Sequence, residues 1–180
     1  DLAIDAGQKE SVDLLENRGE GFVRIAGRVD TWDETTAMWI IQDSLLYTNN
    51  ADGQVTERLE LFFDGTIWEN SERTTYEYEN GQQTKVLREY WAAVEWVPLT
   101  QTIYEYNGDL LMSFYTQDWI DEQWQNDLRW LYQYNTDDFL EFYEVQMGEG
   151  QSWNDWLRTF VDVLNADGNP LATTSEFFEF

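Results

Sequence analysis

Residues 124–138 read WQNDLRWLYQYNTDD: a tryptophan, eight residues on a tyrosine, two further another tyrosine, then a polar stretch. The same frame stands upstream as WENSERTTYEYENG from Trp68 and WVPLTQTIYEYNGD from Trp96. The tryptophans Trp39, Trp68, Trp96, Trp124 and Trp153 follow one another at 29, 28, 28 and 29 residues. Eight residues after each come Tyr47, Tyr76, Tyr104, Tyr132 and Val161, and ten after come Asn49, Tyr78, Tyr106, Tyr134 and Val163. A second series, Phe63, Trp91 and Trp119, keeps the 28-residue step and reaches Met147. Several ladders sharing one period define an array of five repeats.

Each repeat reads as two strands. Polar turns close them at Asp52-Gly53, Asn80-Gly81, Asn107-Gly108, Asn135 to Asp138 and Asp167-Gly168. Asn-Gly between alternating runs is a strong hairpin signal, because both central residues need positive φ. Stretches such as VTERLELFF and LMSFYTQDW alternate at period two and are rich in residues that favour strands, so helix is a poor competitor. Plain alternation would set Trp68, Thr74, Tyr76 and Tyr78 on one face and Glu69, Ser71, Arg73 and Glu77 on the other. On the same rule Leu46, Ile103, Leu131 and Phe160, seven residues past their tryptophans, point away from them, as do Tyr90 and Tyr115. The expected fold is all-β, an up-and-down antiparallel meander of about eleven strands forming a curled single sheet or roll. A leader, 1–20, precedes a repeat domain, 21–180, divided at 21–53, 54–81, 82–108, 109–138, 139–168 and a half repeat, 169–180. The Trp and Tyr rungs (Trp39, Trp68, Trp96, Trp124, Trp153, Tyr47, Tyr76, Tyr104, Tyr132) are read as the structural ladder that holds register.

Composition narrows the function classes. The formal charge is −26, from 36 acidic residues against ten Lys and Arg, which repels phosphate backbones and excludes a nucleic-acid partner. Ten each of Trp, Tyr and Phe exclude a disordered acidic tail. There is no cysteine and no histidine, hence no disulfide framework, no thiolate or imidazole metal site and no Ser-His or Cys-His nucleophile. No apolar run is long enough to span a membrane as a helix, and charges scattered over both strand faces fit a membrane barrel badly. Dispersed carboxylates suit an extracellular or cell-surface setting, and a start at Asp1 is expected of a mature form after signal-peptide removal.

The frame W-x7-Y-x-Y followed by a polar turn resembles the tryptophan- and tyrosine-rich hairpin repeats of secreted surface proteins of the Bacteroidota. More distantly it is similar to the YD repeats of Rhs-type shells. The likeness runs from about Gly21 to the end, with Asn107 and Asn135 where that pattern prefers Asp. It implies export and a non-enzymatic surface role, and brings no functional residues with it.

The array is open at both ends. NPLATTSEFFEF, 169–180, supplies the first strand of a sixth repeat whose tryptophan strand is missing. In the leader, SVDLLEN reads as the start of a short helix capped by Ser11, or as a strand covering an edge. The edge residues that could pair with a neighbouring molecule are Leu2, Ile4, Leu171, Phe177, Phe178 and Phe180.

Other candidate sites are weaker. No feature selects a carboxylate pair for glycoside hydrolysis, so no enzyme is expected and no cofactor is called for. The turns NNADGQ, 49–54, and NADGN, 165–169, resemble fragments of calcium loops, yet their demand for positive φ already explains Asn, Asp and Gly. A row of rings including Trp91 and Trp119 would stack on sugars if exposed. Arg73, Arg129 and Arg158, five residues past their tryptophans, read as a cross-strand ion-pair row. The functional expectation is a non-enzymatic extracellular structural protein, a surface or matrix component that self-assembles, into filaments where the contact does not close. A carbohydrate-binding or adhesion module and an accessory subunit of a larger surface complex are the alternatives.

Overall fold

The computed structural model describes residues 9–18, 21–164 and 170–178, and all their regular structure is β. The strands are β1 (Lys9–Arg18), β2 (Gly21–Asp33), β3 (Met38–Asn49), β4 (Val55–Phe63), β5 (Trp68–Glu79) and β6 (Gln82–Trp91). They continue as β7 (Trp96–Asn107), β8 (Leu110–Ile120), β9 (Gln123–Tyr134), β10 (Leu140–Glu149), β11 (Ser152–Leu164) and β12 (Pro170–Phe177). They form one twelve-stranded sheet in sequence order, β1 to β12. The meander is as expected, with one strand more. The extra strand is β1: SVDLLEN, the candidate helix, lies in an antiparallel ladder with β2 that runs from Lys9↔Thr31 to Arg18↔Gly21. A helix of so few residues is marginal alone, whereas β2 offers a backbone partner along the whole segment.

The chain divides into two compact units, one of residues 1–77 with 88–98 and one of residues 78–87 with 99–180. In both, the tryptophan strands carry a feature that period-two reading misses. Three residues past the tryptophan, one residue has no partner in the ladder to the preceding strand: Gln42 in β3, Ser71 in β5, Asp127 in β9 and Trp156 in β11. Such a bulge reverses the alternation of everything beyond it.

The registers show the consequence. Trp119 stands opposite Trp124 and Tyr115 opposite Arg129, so Trp124, Arg129 and Leu131 share one face with Tyr115. Phe114 stands opposite Trp130, and Tyr143 opposite Tyr132, on the other face. In β5, Trp68 and Arg73 oppose Phe63 and Leu59 of β4, while Thr74 opposes Arg58. The expectation that Trp68 shares a face with Thr74 and Tyr76 is therefore corrected: they point opposite ways. Leu46, Leu131 and Phe160 correspondingly join the faces of Trp39, Trp124 and Trp153. In β3, β5 and β9 the tryptophan and tyrosine rungs thus lie on opposite faces.

Among the described residues Val145 is the one buried apolar side chain, flanked in register by Trp130 and Leu157. A single layer leaves both faces to solvent, so rings shelter one another across strands in place of a common core. Polar groups are buried beside them. On the tryptophan face Glu89 takes Arg73 at 2.7 Å, and Ser113 donates to Glu105 at 2.5 Å.

Candidate binding surfaces

The tryptophan face of the first unit carries three directly opposed ring pairs. Trp32–Trp39, Phe63–Trp68 and Trp91–Trp96 have centroids 5.6, 5.1 and 5.0 Å apart and ring planes at 67°, 43° and 62°. Arg73 adds its guanidinium 4.8 Å above the Trp96 ring. In the second unit Trp119–Trp124 repeats the pair at 5.0 Å and 64°. Trp153 has no ring opposite, because Gly148 stands there; it meets Tyr115 at 6.0 Å and the guanidinium of Arg129 at 5.9 Å. Edge-to-face packing in the three Trp–Trp pairs and a tilted contact in Phe63–Trp68 make each pair a cross-strand staple, not a flat pavement for sugars. Trp91 and Trp119 are half-buried against their partners, while Trp39 and Trp68 are 46% and 41% exposed.

The arginine row is not uniform. Arg73 pairs with Glu89, and Arg158 pairs with Glu144, its Nε at 2.9 Å from the carboxylate. That carboxylate holds the Arg158 guanidinium above its ordinary pKa. Arg129 lies over the Trp153 ring instead. All three share the face of their tryptophans, where plain alternation over five residues would set them opposite, and the bulges are the cause.

The tyrosine face of the second unit holds the densest aromatic cluster. Trp130 stacks on Tyr143 at 5.2 Å and on Phe114 at 6.1 Å, with Tyr132 at 6.4 Å. Tyr104 joins through Phe114 at 5.9 Å. Burial pushes the Tyr104 and Tyr132 hydroxyls above the ordinary tyrosine range. In the first unit Tyr47 stands opposite Arg58. Trp130 was not legible as a ladder residue, whereas Phe114 and Tyr143 stand one period of 28 from Phe142 and Tyr115. A step of 28 from Trp130 lands on Thr102 and Arg158, and the cluster is built from unlike residues on adjacent strands.

One cleft opens in the second unit, where the loop of β5 and β6 meets that of β7 and β8. Its volume is about 400 Å³, with Tyr104 and Tyr106, Gln82 and Thr84 among its lining and Glu79 and Asp109 exposed at its rim. Gln82 Nε2 donates to the Gly108 carbonyl at 2.9 Å, tying the two loops together. Asn80 and Gly81 both have positive φ, 51° and 83°, as the Asn-Gly signal requires. The next loop sits one residue later than expected: Asn107 pairs with Leu110, and Gly108, φ 59°, opens the turn.

The calcium reading of 49–54 meets a competing use of its ligand. Asn50 Oδ1 accepts the backbone N–H groups of Asp52 and Gln54 at 3.1 and 2.9 Å. Asn135 Oδ1 does the same for Asp137 and Phe139. These bonds give the asparagine a structural role at the turn. The second calcium candidate, 165–169, lies outside the described residues, as do Leu2, Ile4 and Phe180. No helix among the described residues is long and apolar enough to cross a membrane.

Of the sequence-expected edge residues, Leu171, Phe177 and Phe178 are described. Strand β12 pairs with β11 from Leu157↔Phe177 to Leu164↔Pro170, and no described strand lies on its other side. Every residue of β12 is exposed, Leu171 by 67% and Phe177 by 70%. Phe178 closes the strand: its N–H donates to the Trp156 carbonyl at 3.0 Å, and its ring lies 5.6 Å from the Arg158 guanidinium.

No protein-family model matches the sequence, and no curated protein does. Among solved structures, a protein of unknown function from Bacteroides fragilis aligns at 16% identity and a TM-score of 0.52, over 66% of this chain and 89% of that one. Two DUF3836 family proteins, from Parabacteroides distasonis and Bacteroides vulgatus, align at 19% and 15% identity with TM-scores of 0.34 and 0.32. They cover 46% and 73% of this chain and 73% and 97% of their own. The first shows a shared β fold, from the phylum the sequence resemblance pointed to. The likeness to YD repeats has no counterpart among them.

Proposed function

We propose that this chain is a non-enzymatic structural protein of the cell exterior that assembles with copies of itself through the open edge of β12. The observation that carries the reading is β12 itself. The Phe178–Trp156 bond makes that a hydrogen-bonded pair. Alternation then turns the amides and carbonyls of Thr173, Ser175 and Phe177 away from β11. Natural edges are usually blunted by charge, bulges or cover. Pro170 and the register shifts beside Val163 blunt the start of β12, but from Ala172 to Phe177 the edge has one charge, Glu176, in a chain with 36 acids. Two such edges pairing with each other would give a closed two-fold dimer, while β12 pairing with β1 of the next copy would propagate as a filament. The extracellular setting rests on the acidic, cysteine-free composition.

Proline at 173 and 175 tests the reading, because it removes outward N–H donors and keeps the backbone ladder to β11, at the cost of the Ser175–Thr159 hydroxyl bond of 2.8 Å. Wild-type chain should associate with rising concentration in light scattering and electron microscopy. The Thr173→Pro/Ser175→Pro variant, and a chain lacking 171–180, should both stay monomeric. Assembly that survives both changes, or a wild-type chain monomeric throughout, would refute the proposal.

A further inference from the structure

The cleft of the second unit is not explained by the repeat. At an offset of 28 residues, Tyr104 and Tyr106 become Tyr132 and Tyr134, while Gln82 and Thr84 become Leu110 and Met112. In that later repeat the corresponding frame is apolar and half-buried, and Tyr134 donates its hydroxyl to the Leu111 carbonyl at 2.9 Å. The fold thus accepts Leu and Met at these positions; Gln82 uses one amide N–H to tie the two loops through the Gly108 carbonyl, and the repeat does not call for the remaining hydrogen-bonding capacity of Gln82 and Thr84. The result is a concave surface of about 400 Å³, at the small end of the range for ligand pockets.

We infer that this cleft, between the β5–β6 and β7–β8 loops, is a binding site for a neutral saccharide of roughly one or two rings. Tyr104 and Tyr106 offer ring surface to the C–H face of a sugar. Gln82, Thr84 and Asn80 can each donate and accept, and the carboxylates of Glu79 and Asp109 accept from hydroxyls. No lysine or arginine lines the cleft, and the two carboxylates repel an acidic ligand. A bare cation is the weaker fit. Among the described residues no three acidic, His or Cys groups converge, and Glu79 and Asp109 are exposed at the rim. The site is independent of the β12 edge.

The test is a titration of the full chain, followed by amide chemical shifts, with cellobiose, maltose and diacetylchitobiose, and with glucuronate and putrescine as acidic and cationic comparators. At least one neutral disaccharide should shift the amides of 79–84 and 104–109, with glucuronate inert. Gln82→Leu/Thr84→Met, which copies the next repeat and should fold, is expected to weaken binding roughly tenfold or more. Glu79→Ala/Asp109→Ala, at two exposed positions, provides a second variant and should weaken it as well. No shift with any neutral disaccharide, a response to putrescine alone, shifts confined to the tryptophan pairs, or binding undiminished in both variants would overturn the inference.

Discussion

Deleting Asp127 should cost far more than mutating it. Asp127 is the unpaired residue of the β9 bulge, between Thr116↔Leu128 and Gln117↔Asn126. Its side chain makes one exposed bond, from Thr116 Oγ1 at 2.9 Å, so Asp127→Ala should lose at most about 1 kcal/mol. Removal of the whole residue restores strict alternation and turns Trp124 to the opposite face. Half-buried Trp124 shelters about 100 Å² of apolar surface, worth about 2.5 kcal/mol. Its edge-to-face contact with Trp119 at 5.0 Å adds about 1 kcal/mol. Losing the Gln117–Asn126 side-chain bond at 2.8 Å costs about 1 kcal/mol more. The deletion should therefore cost about 4.5 kcal/mol, read by urea denaturation with tryptophan fluorescence and far-ultraviolet circular dichroism. Contacts between the two indoles should vanish from nuclear Overhauser spectra. Equal costs for deletion and Asp127→Ala, or persistent Trp119–Trp124 contacts in the deletion, would refute the account of the bulge.

Two further changes probe the backbone. A Cβ added at Gly148 would stand 1.9 Å from the Asn126 carbonyl oxygen and 2.7 Å from the Asp127 nitrogen, inside the bulge. Since backbone must move, Gly148→Ala should destabilise by about 3 kcal/mol or more, and a urea midpoint within error of wild type would contradict the packing. The two-residue loop Asp121-Glu122 holds both residues at positive φ, 51° and 60°. Glu122→Gly relieves that strain and should stabilise by about 1 kcal/mol, visible as a higher melting temperature; a lower one would count against the turn geometry.

The functional surfaces were legible to different degrees. Strand β12 could be read from 169–180 because that stretch repeats the first-strand pattern of the earlier units, and it pairs with β11 as that pattern implies. The cleft could not be read in that way. Gln82, Thr84, Tyr104 and Tyr106 are ordinary strand residues, and only pairing of the two loops makes a concavity of them. A signal was present all the same, in the replacement of Gln82 and Thr84 by Leu110 and Met112 one period on.

The amino-acid pattern by itself determined the β class, the five-fold repetition, the meander and turns such as Asn80-Gly81. Those properties are local: alternation, strand-forming residues and a demand for positive φ can each be read within a dozen positions. What tertiary structure decided is which face each ring occupies. That depends on whether a strand carries one residue more than its partner, as β9 does with Asp127, and so on a comparison of two strands. The same holds for the leader, where β2 draws Lys9–Arg18 into its ladder. It holds again for Gly148, whose need to lack a side chain arises from the bulge on the strand beside it.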